Sequence, residues 1–236
     1  MAELPVPPAE LLYRVVGNRE APQFWVDGAW QLAYIGVALE TLGRPLSGFD
    51  RILDFGCGCG RLLSALQAEA PEAALSACDT DADAIAWVQA AFPAADARVS
   101  DPLPPLPFDD NTFGFLLAFS VFTHLPPDYQ DAWLQELARV TRSDGIVAAT
   151  VHGAAHWRAH WQGHDDPALL SELHERGFAY VNDGFWDGSF PDYYGTSWHT
   201  PGYVREHWGR WFDVLAHVEG SGAFGHDLVI ATPTGR

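Results

Sequence analysis

Residues 51–61 read RILDFGCGCGR. An apolar pair, Ile52 and Leu53, runs into Asp54. Gly56, Gly58 and Gly60 then alternate with Cys57 and Cys59, and Arg61 follows. The run 51–55 has the look of a buried strand, and Leu62, Leu63 and Leu66 behind it have helical spacing. The glycines therefore occupy a strand-to-helix turn. Gly56 permits the tight turn, and Gly58 and Gly60 let the backbone approach a ligand. A helix opening at Arg61 directs amide groups and the positive end of its dipole toward the same place.

Dinucleotide-binding folds share such a loop, so the acids around it carry the discrimination. Asp54, two residues before Gly56, would repel a pyrophosphate and suits a ligand with a positive end. Asp79 lies at the end of a second strand, read over 73–79, in SACDTDADAI. An acid there accepts hydrogen bonds from both hydroxyls of a ribose. The pair favours a nucleoside with a cationic or amino-acid tail over a nicotinamide dinucleotide.

Outward from this loop the chain alternates strand and helix. Asp81 or Asp83 caps a helix that turns Ile85, Val88 and Phe92 inward. Strands are expected at 97–100, 113–120 and 145–152, and a helix at 127–140 buries Trp133, Leu134, Leu137 and Val140. Thr200 and Pro201 open a late helix, and strands at 211–218 and 227–232 close the chain as a hairpin around Gly220, Gly222 and Gly225. Strands separated by helical patterns predict a mostly parallel sheet covered on both faces. Upstream, 1–47 reads as a helical cap, with one helix from Pro22 to a stop at Gly43. Residues 153–199 break the rhythm, being too long for an ordinary crossover. They hold a helix at 167–176, with Asp166 as cap and Gly177 as stop, and a concentration of aromatic residues.

In combination these motifs resemble the class I S-adenosylmethionine-dependent methyltransferases. LDFGCGCGR resembles the family's first motif and ACDTDADAI its second. VSDPLPPLPFDDNTFGFLLAFSVFTHL resembles its third and fourth strand region, and HTPGYVREHW, FDVLAHVEG and HDLVIAT its last helix and hairpin. GCGCGR together with SVFTHL is similar to a bacterial subgroup with small substrates. The likeness spans about residues 48–232 and implies an α/β, Rossmann-like, seven-stranded sheet whose last strand is antiparallel. It also implies S-adenosyl-L-methionine as cofactor. By the resemblance, Gly56, Cys57 and Gly58 line the methionine part, with Asp54 near its ammonium and Arg61 toward its carboxylate. Asp79 holds the ribose and Thr80 lies beside the adenine. Ser100 and Asp101 meet the adenine edge, and Phe119 and Ser120 flank the methionine chain. One position departs from the pattern: Gly114 stands where the family has Asp.

Methyl transfer is an in-line displacement, so holding the acceptor close and aligned supplies much of the acceleration. An oxygen acceptor usually needs a base, and histidine has the pKa range for one. His124 follows the fourth strand, His152 ends the fifth, His199 ends the long insertion and His226 begins the last strand. These four are the catalytic candidates. His124 has a structural alternative, bonding backbone at the start of the next helix. His152, His156, His160 and His164 recur every four residues, but Gly153 and Gly163 weaken a helix there, which favours a lid wall over a metal site. Trp157, Trp161, Phe185, Trp186, Phe190, Tyr193, Tyr194 and Trp198 make the insertion a candidate substrate cover, or a lid that packs on the sheet.

The bulk composition sets outer bounds. Acids outnumber basic residues 31 to 13, a formal net charge of −18, which disfavours nucleic acid and anionic membrane surfaces and tolerates cationic ligands. No apolar run is long enough to span a membrane, and the opening residues lack the pattern of a signal peptide. Cys57, Cys59 and Cys78 are odd in number and clustered, which argues against a disulfide framework and for a reducing cytoplasm. A zinc site at Cys57 and Cys59 is disfavoured, since their loop must wrap a ligand. The expected activity is transfer of a methyl group to an oxygen, or a nitrogen, of a small molecule or peptide end. Oligomeric state is open. The alternatives are a protein that binds S-adenosylmethionine without transferring methyl, and an enzyme of other chemistry on this fold.

Overall fold

Apolar runs bounded by glycine, proline and acid become strands, and their burial shows why. Phe113–Ala118 is buried along its whole length, and Arg51–Phe55 is buried at every position after the first. The computed structural model describes residues 5–160, 166–182, 190–220 and 225–235, the side chain of His160 excepted. The chain divides into two compact units, Met1–Pro107 and Phe108–Arg236.

The first unit opens with helices α1 (Ala9–Val16) and α2 (Phe24–Thr41). It continues through β1 (Arg51–Phe55), α3 (Arg61–Glu69), β2 (Ala74–Asp79), α4 (Ala82–Ala91) and β3 (Asp96–Val99). The strands are parallel in the order β3-β2-β1, with Phe55 opposite Cys78 and Asp79 opposite Val99. Of the two cap candidates, Asp81 closes α4, accepting from the amides of Asp83 and Ala84. Helix α2 begins after Pro22, at Phe24, and Gly43 follows its end with φ 69°. Gly28 brings α2 against the backbone of α3: a Cβ there would lie 2.3 Å from the Arg61 carbonyl oxygen.

The second unit holds β4 (Phe113–Ala118), α5 (Pro127–Val140), β5 (Thr141–His152), α6 (Ala154–His160) and α7 (Pro167–Arg176). Strands β6 (Phe178–Val181) and β7 (Thr196–His199), helix α8 (Pro201–His207) and strands β8 (Phe212–Val218) and β9 (His226–Pro233) complete it. Strand β5 is parallel to β4 and antiparallel to β9, which pairs with β8 as the expected hairpin. At Gly114 the β4–β5 register shifts: Phe113 faces Thr141 and Phe115 faces Ile146, so the departure from the family pattern coincides with an irregularity in the ladder.

The insertion 153–199 differs from a loop-like lid. It supplies two strands, β6 and β7, antiparallel to each other, and β7 meets β5 in parallel at His152 and Trp198. These add to the seven strands implied by the resemblance. Trp198 is wholly buried with Leu169 and Ala179, and Trp157 packs against them. Part of the aromatic enrichment is therefore core. Trp161, His164, Phe185 and Trp186, and Gly222 in the last turn, lie outside the described residues.

Candidate functional site

In the first unit the glycine loop is anchored from its first residue. The amides of Gly56 and Cys57 both donate to the carbonyl of Cys78 on β2, at 2.8 and 3.1 Å. Gly56, Gly58 and Gly60 all have positive φ, at 72°, 52° and 82°, a region costly to side chains. Their roles divide. The Gly58 amide donates to Asp79 Oδ2 at 2.7 Å, and Val15 of α1 fills the space a Cβ at Gly58 would need. A Cβ at Gly60 would lie 2.7 Å from the Phe92 ring, so this glycine is also needed for the packing of Phe92 at the end of α4. Arg14 of α1 pairs with Asp81 at 2.9 Å and with Asp83 at 3.3 Å.

The Asp79 carboxylate is held from two sides, Oδ2 by Gly58 and Oδ1 by the amide of Asp81 at 2.9 Å. Burial pushes its pKa up, and these amides pull against that rise. Thr80 is exposed, Ser100 is buried with its amide on the Asp79 carbonyl at 2.9 Å, and Asp101 is exposed. Asp54 is 2% exposed, and its Oδ2 has no hydrogen-bond partner. Burial, then the charge of Asp79, lifts its carboxyl to about 7, with Arg61 opposing. Arg61 is buried at the first position of α3, not spread on the helix surface. Its guanidinium is pushed down by burial and supported by the charges of Asp27, Cys59 and Asp54. On α2, Gln31 is 3% exposed, and neither atom of its amide has a hydrogen-bond partner. Little in the sequence marks Gln31; its one signal is an amide placed among the inward positions Phe24, Gly28, Leu32 and Ile35.

In the second unit three of the four candidate histidines come together, joined by a fifth. His152 and His226 face each other across β5 and β9, with ring centroids 4.8 Å apart. His156, in the first turn of α6, stacks on His152 at 3.5 Å, so the first two members of the four-residue recurrence do meet. His124 lies edge-on to His152 at 5.8 Å and stacks on Tyr194 at 4.2 Å. Hydrogen bonds fix the tautomers. His124 Nδ1 donates to the Gly195 carbonyl at 2.8 Å and His152 Nδ1 to the Ser197 carbonyl at 3.1 Å, leaving each Nε2 as the basic nitrogen. The Trp198 indole donates to His156 Nδ1 at 3.2 Å. Burial lowers His124 to about 4 and His152 well below its usual value, so both rings are neutral near pH 7. Phe119 and Ser120, just past β4, join the same group: the Phe119 ring is 5.8 Å from His226, and Ser120 Oγ is 3.5 Å from His226 Nδ1. Ser120 takes φ 58°, uncommon for a residue with a side chain, and its amide donates to Thr150 Oγ1 at 2.7 Å.

His199 is placed elsewhere. It neighbours Trp198 on β7, and strand alternation turns the two side chains to opposite faces. Trp198 meets His156, while His199 lies against Phe178 and Tyr203 and bonds Gln130 Oε1 through Nε2 at 2.8 Å. Burial lowers it to about 3. Gln130 also donates to Ser197 and to the carbonyls of Phe122 and Leu125, so His199 belongs to a buried network that ties α5 to β7.

Burial pushes the thiols of Cys57 and Cys78 up and Cys59 to about 12, so none is a ready thiolate. Among the described residues no three His, Cys, Asp or Glu side chains are arranged to hold a metal ion. No described helix is long and apolar enough to cross a membrane.

Residues 52–145 match the family model of a methyltransferase domain. The match takes in the glycine loop, Asp79, Phe119, Ser120 and His124. This stretch is similar to a methyltransferase domain. Solved structures agree with it in fold. A crystal structure of a Pyrococcus horikoshii OT3 protein superposes with TM-score 0.62 at 18% identity, covering 94% of this chain and 98% of that one. The 1,6-didemethyltoxoflavin-N1-methyltransferase of Burkholderia thailandensis, with 1,6-didemethyltoxoflavin and S-adenosylhomocysteine bound, gives TM-score 0.61 at 15% identity, covering 99% and 93%. An O-methyltransferase of neocarzinostatin biosynthesis, in complex with S-adenosylmethionine and 2-hydroxy-5-methyl naphthoic acid, gives 0.57 at 18%, covering 85% and 53%. The chain thus shares the mixed, mostly parallel Rossmann-like fold of these structures.

Proposed function

We propose that the protein is an S-adenosylmethionine-dependent methyltransferase acting on an oxygen of a small molecule. Bound S-adenosylmethionine would supply an electrophilic methyl group on a cationic sulfur. In the first unit the residues present suit this cofactor: the Asp54 carboxylate has an oxygen without a partner, and Asp79 is fixed at the end of β2 where the ribose hydroxyls belong. Gly56 and Cys57 shape the loop beside the methionine part, with Arg61 toward its carboxylate, and Thr80, Ser100 and Asp101 are assigned to the adenine.

The observation that carries the oxygen preference is the gathering of His124, His152, His156 and His226 with Ser120 in the second unit. We assign His226 as the base that takes the acceptor proton. His152 and His124, neutral and fixed by backbone carbonyls, wall the acceptor and accept hydrogen bonds through Nε2. His199 holds α5 to β7. Two of the structural neighbours, an N1-methyltransferase with 1,6-didemethyltoxoflavin bound and an O-methyltransferase in complex with 2-hydroxy-5-methyl naphthoic acid, hold small molecules of the size this reading favours.

The test supplies S-adenosylmethionine labelled in its methyl group together with panels of small phenols, carboxylic acids and amines. Labelled product and stoichiometric S-adenosylhomocysteine with a phenol or acid support the reading. Methylated amines alone would move it to nitrogen. Tight cofactor binding with no S-adenosylhomocysteine from any panel would favour a binding protein.

A further inference from the structure

Gln31 is the least satisfied polar side chain on the inward face of α2: its Nε2 and Oε1 are both buried and neither has a hydrogen-bond partner. A buried amide left unpaired is destabilising, and native structures keep few of them without a reason. Three observations say what it faces. Gly28 abuts the backbone of Arg61, so the turn of α2 that carries Gln31 lies over the start of α3. Helical side chains lean toward the N-terminus of their helix, which sends Gln31 back over the gap left by Gly28. Asp27, on the same turn, is near enough to support the charge of Arg61, and Arg61 is coupled in turn to Asp54. Gln31 and Asp54 Oδ2 are thus both buried without a hydrogen-bond partner, one on the helix that abuts the start of α3 and the other coupled to the Arg61 that opens it.

We infer that Gln31 reads the amino-acid end of the cofactor, its amide nitrogen donating to the carboxylate and its oxygen accepting from the ammonium. This deepens the proposed function and rests on it. An amide is a neutral side chain that offers a donor and an acceptor on two separate atoms, which suits the two ends of a zwitterion. An apolar residue at this position would pack better in the absence of ligand, so the unpaired amide marks a stability cost borne for binding.

The experiment compares wild type, Gln31→Met and Gln31→Glu by calorimetry with S-adenosylhomocysteine and with 5′-methylthioadenosine, which keeps the nucleoside and lacks the amino-acid end. Thermal melting without ligand is recorded in parallel. Gln31→Met is expected to melt no lower than wild type and to lose roughly ten- to a hundredfold in affinity for S-adenosylhomocysteine, while its affinity for 5′-methylthioadenosine is unchanged. Gln31→Glu keeps the acceptor and loses the donor, and is expected to show the same selective loss. Unchanged affinity for S-adenosylhomocysteine, or equal losses for both ligands, would overturn the inference. A wild type that binds neither ligand would instead remove the proposed cofactor.

Discussion

The Gly58 amide donates to the Asp79 carboxylate across 2.7 Å, joining the glycine loop to the end of β2. With the Asp81 amide on its other oxygen, the carboxylate is aimed before any ligand arrives. Asp79→Ala is therefore expected to weaken S-adenosylhomocysteine binding by about 1–3 kcal/mol, through lost ribose hydrogen bonds and a loosened loop. Asp79→Asn keeps one acceptor oxygen and should recover thermal stability ahead of affinity. Calorimetry and melting on the two variants read these effects separately; unchanged affinity in both would remove the ribose assignment.

Asp54 is expected to make cofactor affinity depend on pH. Its carboxyl is raised from 3.8 to about 7 by burial and by the charge of Asp79. The folded, ligand-free protein therefore holds this proton when the unfolded chain has released it. The associated stability is fully present below about pH 4 and is lost as pH rises toward 7. A cationic ligand prefers the ionised carboxylate, so affinity is expected to climb through neutrality and level off above it. Asp54→Asn should flatten that profile, weaken binding and raise the melting temperature at pH 8 but not at pH 4. Calorimetry and melting across pH 5–9 measure both arms, and an unchanged slope in the variant would exclude Asp54 as the source.

Much of the scaffold was legible because its signals are local. The β1 boundaries, the Asp166 and Thr200 caps and the α5 span follow from apolar spacing and cap chemistry alone. The insertion was harder to read. Strands β6 and β7 are four residues each, and their pairing partners are fixed by tertiary contact rather than by alternation. The site divides the same way. Asp54 and Asp79 stand beside a motif. The separation of His199 from His124, His152 and His226 depends on which face of a short strand each ring occupies, and Gln31 is polar only in the sense that its helix gives it no partner. Neither fact has a sequence period to announce it.

Buried Asp227 closes the final hairpin. Its carboxylate accepts from His217 Nε2 at 2.9 Å and from the Gly220 amide at 2.8 Å. Gly153 leaves the room it needs, since a Cβ there would sit 2.1 Å from Asp227 Oδ2. Asp227→Ala leaves both donors short of a partner and is expected to cost about 1–3 kcal/mol. Gly153→Ala should destabilise as well, by displacing the carboxylate. Chemical denaturation measures both. The double variant should cost less than the sum, because both changes act through one carboxylate.

His226 is where the chemistry is most exposed to test. It faces His152 across the β5–β9 ladder and stands 3.5 Å from Ser120, so removing it deletes an imidazole without cutting the backbone pairs that hold the strands. If it takes the acceptor proton, His226→Gln should lower kcat roughly 10²- to 10⁴-fold and leave S-adenosylhomocysteine affinity unchanged. Single-turnover kinetics and calorimetry on the variant read the two effects separately. His199→Ala supplies the contrast. It leaves the Gln130 oxygen unpaired and should lower the melting temperature, with kcat of the folded protein retained. If instead His199→Ala abolished kcat with melting unchanged and His226→Gln retained it, the two roles would have to be exchanged.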